Sequence, residues 1–171
     1  MPKLVTLCTG NAARSVMAGA ILAEHVPAVV VATRGTHVIE GMPMSWRTRD
    51  AIVALGAKAD GHRSRQLAAA DLASADLVLA MAREHVDYVR RRHPDAAART
   101  GTLKRLARDL PATTGTFAER VAALHLADVE LEPWEDVDDP AGGTPEVFHD
   151  CAIEIHELLT ALRPVWEGVA A

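Results

Sequence analysis

Cysteine is scarce in this 171-residue chain. Its two copies, Cys8 and Cys151, are too few and too far apart for a disulfide framework or a zinc knuckle. The default compartment for such a chain is a reducing cytoplasm. Eight histidines are present, but none falls at metal-ligand spacing, so neither a metal nor a cofactor is expected. Long apolar runs are missing as well: Val29 to Ala32 is far short of a membrane span, and the N-terminus lacks the basic flank and apolar core of a signal peptide. Nor is there an excess of positive charge. A net charge of −5 argues against a nucleic-acid or membrane-surface partner. It leaves an anionic substrate open, because one loop can be positive on an acidic protein. Internal repeats and low-complexity linkers are absent. With 49% hydrophobic and 24% charged residues, the chain is expected to fold as one domain over residues 1–171.

What the chain does contain is an alternation of strand and helix patterns. Leu4, Val5 and Leu7 make a short apolar run that stops at Cys8, and Gly10 and Asn11 supply turn chemistry. A helix is predicted from about residue 13 to 26, ending at Pro27, then a strand from Val29 to Ala32 that closes at Gly35. A second helix is expected from Ser45 to Leu55 with Gly56 as its C-cap. A basic loop over 60–66 leads to a short helix over 67–73. The strand Leu77–Met81 and a helix from Ala82 to His93 follow. Thr102 to Leu106 is expected to be the fourth strand. Thr116 and Glu119 match a capping box that opens a helix to about Leu126. The acidic run 130–139 reads as a loop. The last helix has Thr144 as N-cap, Pro145 in its first position, and Phe148, Cys151, Ile155, Leu158, Leu159 and Leu162 on one face, with Pro164 as its end. The fold class is therefore α/β: a flavodoxin-like, doubly wound sheet of about four parallel strands with helices on both faces. In such sheets ligands bind beyond the carboxyl ends of the strands, next to strand 1, where Cys8 stands.

A strand, a tight loop and a helix N-terminus form an anion cradle, because unpaired amides converge there and the helix dipole adds to them. This cradle starts with a thiol and carries a guanidinium six residues later. A phosphomonoester dianion repels nucleophiles, so a site that hydrolyses it must neutralise that charge and supply an ionised nucleophile. The amides of the loop and Arg14 suit the first task. The same positive field stabilises a thiolate at position 8, and Ser15 is placed to donate a hydrogen bond to it. Attack would give a phosphocysteine that water then hydrolyses. One carboxyl group can serve as acid in the first step and base in the second. The plain competing reading of Cys8 is a buried structural thiol after a strand.

Cys8-Thr-Gly-Asn-Ala-Ala-Arg-Ser15 resembles the signature loop of the low-molecular-weight protein tyrosine phosphatases, Cys-x-Gly-Asn-x-Cys-Arg-Ser. The resemblance continues through Gly35-Thr36, His62 to Leu67, Ala75 to Met81, Asp139-Pro140, Gly142-Gly143 and the Phe148 helix. Residues 107–137 look like an enlarged insertion. The resemblance implies Cys8 as nucleophile, Arg14 as phosphate clamp and Asp139 as general acid and base. Thr9, Gly10, Asn11, Ala12, Ala13 and Ser15 would form the substrate-binding loop, with His62 bracing Asn11. The implied substrate is a phosphorylated protein, on phosphotyrosine, or a small aryl phosphate, with inorganic phosphate as product. Between Asp138 and Asp139, the following proline favours Asp139.

The departures carry information. The family's second loop cysteine is Ala13 here, so a protective disulfide with the nucleophile has no partner in the loop. Val16 stands where proline usually follows Arg-Ser, and Ala82 where aspartate often follows the third strand. Ala141 and two glycines replace the aromatics that commonly follow Asp-Pro, and Val38 or Ile39 replaces the aromatic after Gly-Thr. Trp46 or Trp134 is the remaining candidate for a ring-binding wall. Two rival functions stay open: an arsenate reductase on the same fold using an external thiol, and a phosphate- or phosphotyrosine-binding module with weak turnover. Cys151 is expected to be core packing, His85, His93 and His156 surface residues, and Arg90 to Arg92 a solvated face.

Overall fold

The computed structural model describes residues 1–167; the last four residues of the expected domain, 168–171, lie outside the described residues. Leu4, Val5 and Leu7 lie in strand β1 (Lys3–Cys8), which takes the interior of a four-stranded sheet of order β2-β1-β3-β4. β2 (Val30–Gly35), β3 (Leu77–Ala80) and β4 (Thr100–Thr102) all run parallel to their neighbours. Alternation along the strands divides the core. Leu4, Leu77 and Leu79 face a cluster that also holds Ile21 and Leu22 of α1 (Arg14–His25), Ile52 of α2 (Trp46–Ala54) and Ile155 and Leu159 of α7 (Pro145–Ala161). Val5, Leu7 and Val78 face a smaller cluster with Leu72 of α3 (Ala69–Ser74) and Val89 of α4 (Arg83–Arg92). Each such buried side chain contributes roughly 1.5–3 kcal/mol over its exposed state. Helices thus cover both faces, as the strand–helix alternation predicts.

Several local expectations shift. β2 is an edge strand, with Val30 51% exposed rather than buried. The fourth strand is Thr100–Thr102, earlier and shorter than the apolar pattern suggested. Leu103, Leu106 and Leu110 repeat at helical spacing, and Thr102 caps α5 (Leu103–Asp109) by accepting the Arg105 amide. The capping box at Thr116 and Glu119 forms, but α6 (Phe117–Ala122) is only six residues long. Thr144 takes the N-cap position of α7 without a side-chain capping bond. The long helix ends at Ala161, and Pro164 lies within the following turn of helix, α8 (Arg163–Glu167). Ser45 caps α2, and Gly56 adopts φ +75° just beyond it.

The carboxyl ends of β1 and β2 place the loop at residues 8–14. Thr36 and His37 donate backbone hydrogen bonds to the Cys8 and Thr9 carbonyls at 3.0 and 2.9 Å. Gly35 is required by this approach: a Cβ there would lie 2.5 Å from the Thr9 carbonyl oxygen and 2.9 Å from the Asn11 amide.

Candidate active site

The chain leaves β1 at Cys8 and enters α1 at Arg14, and the five residues between wrap the thiol. Among the described residues, no amide from Gly10 to Ala13 donates to a protein acceptor, the condition for an anion nest. The left-handed turn is carried by Asn11 at φ 49°, not by Gly10. Asn11 tolerates that conformation because its side chain bonds locally. Its Nδ2 donates to Ser15 Oγ at 2.9 Å, and its Oδ1 accepts the Arg65 amide at 2.9 Å. The Asn11 carbonyl accepts from His62 Nε2 and Ser64 Oγ, both at 2.8 Å.

Ser15 Oγ lies 3.0 Å from Cys8 Sγ. Since Ser15 Oγ already accepts from Asn11, its own proton is free to point at the sulfur. Asn11 and Ser15, both fully buried, therefore stand behind the loop. Thr9, Gly10, Ala12, Ala13 and Arg14 line the cavity in front of Cys8, which has a volume of about 480 Å³. His62 is half-buried and braces the loop through the Asn11 backbone. Burial holds its pKa below the ordinary histidine value, outweighing the opposite pull of the Asn11 bond. Its neutral ring donates from Nε2.

Arg14 is 4% exposed. Its Nη1 donates to the Val137 carbonyl at 2.9 Å and its Nη2 to Asp139 Oδ2 at 3.1 Å. The Asp139 side chain is 51% exposed, and its other oxygen accepts the Ala141 amide at 3.1 Å. Asp139, Ala141, Gly142 and Phe148 close one side of the cavity; Ser45, Arg47 and Thr48 from the start of α2 close another. Asp138 is absent from the lining and offers its carbonyl to the Cys151 thiol at 3.8 Å. Trp134 is engaged elsewhere, under the Arg108 guanidinium at 4.2 Å, and Trp46 flanks the cavity without lining it.

The segment that delivers Asp139 is fastened residue by residue. Glu135, 0% exposed in the acidic run read as a loop, accepts from Arg105 Nε at 3.0 Å and Thr102 Oγ1 at 2.6 Å. Burial raises its pKa, but these two donors win and hold it below the usual glutamate range. Asp136 takes a bidentate grip from Arg83, and the Val137 amide donates to the Met81 carbonyl at 2.8 Å. Part of the apparent insertion thus braces the site. Arg90, expected on a solvated face, donates to the Leu126 and Val129 carbonyls at 2.7 and 2.9 Å.

His85 corrects the surface expectation most sharply, being 1% exposed. Its Nδ1 accepts the Ala82 amide at 3.0 Å, so Nε2 carries the proton and donates to Thr9 Oγ1 at 2.9 Å. Thr9 Oγ1 in turn donates to Glu84 Oε1 at 3.2 Å. Burial, with the Arg14 charge second, pushes the His85 pKa down to about 3. The His85 side chain reaches back from the third helical position to the N-cap amide, but Ala82 and His85 are not the Ser/Thr and Glu/Gln of a capping box, so its place in the first helical turn was a weak sequence signal. Thr48, whose hydroxyl donates to the Ala12 carbonyl at 3.1 Å, gave no comparable signal. Cys151 is in the core as expected, and burial pushes its thiol up to about 12.

Comparison with known proteins agrees with this geometry. Residues 3–168 match the low molecular weight phosphotyrosine protein phosphatase family. A protein-arginine-phosphatase of Geobacillus stearothermophilus is 31% identical over 161 residues, 94% of this chain and 93% of the relative. Among solved structures, the YwlE arginine phosphatase from Geobacillus stearothermophilus superposes with a TM-score of 0.78 at 30% identity, over 98% of this chain and 94% of that one. A low molecular weight protein tyrosine phosphatase from T. tengcongensis gives 0.76 at 27% identity, over 95% and 98%. This chain belongs to the low molecular weight phosphotyrosine protein phosphatase family. It is a cysteine-dependent phosphatase that takes a phosphorylated substrate and releases phosphate.

Proposed function

We propose that the chain hydrolyses aryl phosphomonoesters, phosphotyrosine among them, through a phosphocysteine at Cys8. The observation that carries this reading is convergence: Arg14 and Asp139, far apart in sequence, meet at 3.1 Å in the cavity that contains Cys8. In the first step Cys8 Sγ attacks phosphorus and the ester P–O bond breaks. The departing oxygen takes the proton of Asp139. Three phosphoryl oxygens are held by the amides of residues 9–14 and by Arg14. In the second step the Asp139 carboxylate removes a proton from water, the water oxygen attacks phosphorus, and Cys8 leaves as a thiolate bonded to Ser15. Asn11 and His62 keep the loop in shape.

Phosphoarginine is the second reading. It is favoured by the full-length similarity to a protein-arginine-phosphatase and by the walls of the cavity. Among its described lining residues one is aromatic, Phe148, and that ring is 6% exposed. Arsenate reduction has less support: Cys151, buried and with its pKa raised, is a poor second thiol, so that chemistry would rest on an external one. We read residues 1–171 as a single domain with an enlarged insertion at 107–137. A cytoplasmic site suits two free thiols.

The test pairs phosphotyrosine and phosphoarginine peptides of one sequence with wild-type and Cys8→Ser protein. The expected result is turnover of the phosphotyrosine peptide, lost in Cys8→Ser, with a phosphocysteine trapped on rapid quench. Faster turnover of the phosphoarginine peptide would favour the second reading. Equal activity in Cys8→Ser would remove both.

A further inference from the structure

We propose that Arg47 is a specificity-determining residue that reads a second oxyanion on the substrate, carried beside the phosphorylated residue. The proposal rests on the phosphatase reading of the cavity and deepens it. Arg47 lines the same cavity as Cys8. Among the described residues its guanidinium has no carboxylate within ion-pair distance, and its Nε is buried with no hydrogen-bond partner. The charge is held in place rather than left to wander, since its guanidinium carbon sits 4.9 Å from the Trp46 ring centroid.

Folding gives no reason for this arrangement. Arg47 is the second residue of α2, whose first turn contains no acidic side chain, and a cation there opposes the helix dipole. A cost of that kind, uncompensated among the described residues, is characteristic of functional positions. Nor is Arg47 needed for the phosphoryl group, whose three oxygens are matched by the loop amides and Arg14. Arg14 is itself already paired with Asp139, whereas Arg47 has no ion-pair partner among the described residues. The segment leading to it exposes Ile39, Met42 and Trp46, an apolar surface suited to a polypeptide next to the site. A carboxylate on a flanking residue, or a second phosphate, supplies the oxyanion a guanidinium grips.

The experiment measures kcat/KM on phosphotyrosine peptides that differ only in neighbouring residues: neutral, glutamate, a second phosphoresidue, and lysine. For wild type the glutamate peptide should exceed the neutral one about fivefold, the scale of a half-exposed ion pair. That ratio should fall to about one in Arg47→Ala, and Arg47→Glu should prefer the lysine peptide. A larger gain from the second phosphoresidue than from glutamate identifies phosphate as the source; the reverse identifies carboxylate. In wild type the preference should also shrink with added salt, a readout that needs no variant. Equal rates on neutral and acidic peptides in wild type, or an unchanged ratio in Arg47→Ala, would overturn the role of Arg47 alone. Wild type no faster than Cys8→Ser on every peptide would instead remove the phosphotyrosine reading beneath it.

Discussion

The Arg14 guanidinium holds Asp139 by Nη2 at 3.1 Å while Nη1 holds the Val137 carbonyl at 2.9 Å, so one side chain grips the loop that carries the proposed acid at two points. In the proposed mechanism, a phosphate dianion entering the loop competes with Asp139 for Nη2. Displaced from Arg14, the half-exposed carboxyl is free to turn toward the leaving oxygen. One hydrogen bond therefore couples the proposed clamp to the proposed acid.

This coupling predicts a leaving-group signature. Asp139→Asn should slow phenyl phosphate hydrolysis about 100-fold, at the low end of general-acid contributions. p-Nitrophenyl phosphate, whose leaving group needs little protonation, should suffer much less in the first step. Burst kinetics with that substrate would then expose slow breakdown of the phosphocysteine. A uniform loss on both substrates would deny Asp139 the role of acid.

Glu135 sets the stability of the same loop. Replacing it with alanine leaves Arg105 almost buried, without its main carboxylate, and leaves the Thr102 hydroxyl without its acceptor. Breaking a buried pair from one side costs about 3–5 kcal/mol. Urea denaturation of Glu135→Ala should show a loss near the low end of that range, because Asp109 and Glu132 also approach Arg105.

His85 predicts how stability depends on pH. Its folded pKa, about 3, lies below the unfolded value near 6.5, so the folded state refuses a proton that the unfolded chain accepts. Its neutral-state contribution is complete above pH 6.5 and declines as pH falls from there toward 3. At pH 5 the loss is about 2 kcal/mol for such a shift. Denaturation at pH 7.5 and 5.0 should give a larger acid loss for wild type than for His85→Gln. His62, also shifted down by burial, keeps some of the dependence in the variant. Identical pH slopes would contradict the assigned geometry.

Much of this site is legible along the chain because it is local. Cys8, Asn11, Arg14 and Ser15 fall within one strand–loop–helix unit, where spacing alone decides which groups share a cradle. The parallel sheet is legible for a similar reason, since apolar runs alternate with amphipathic ones. Short-range chemistry also explains the error at the fourth strand. The apolar residues after Thr102 fit a strand by composition, but their spacing and the threonine cap select α5.

What the sequence by itself determined is the Cys8–Ser15 loop between strand and helix, the α/β class and the pairing of Asp139 with its proline, all set by neighbours within a few residues. Tertiary structure alone decided the rest. It buried His85 against Thr9, drew Glu135 onto Arg105, brought Asp139 to Arg14 and left Arg47 on the cavity wall with no ion-pair partner among the described residues. Those outcomes depend on which distant charges meet in a low-dielectric interior. Burial energies of that kind follow from three-dimensional neighbours, and no local pattern encodes them.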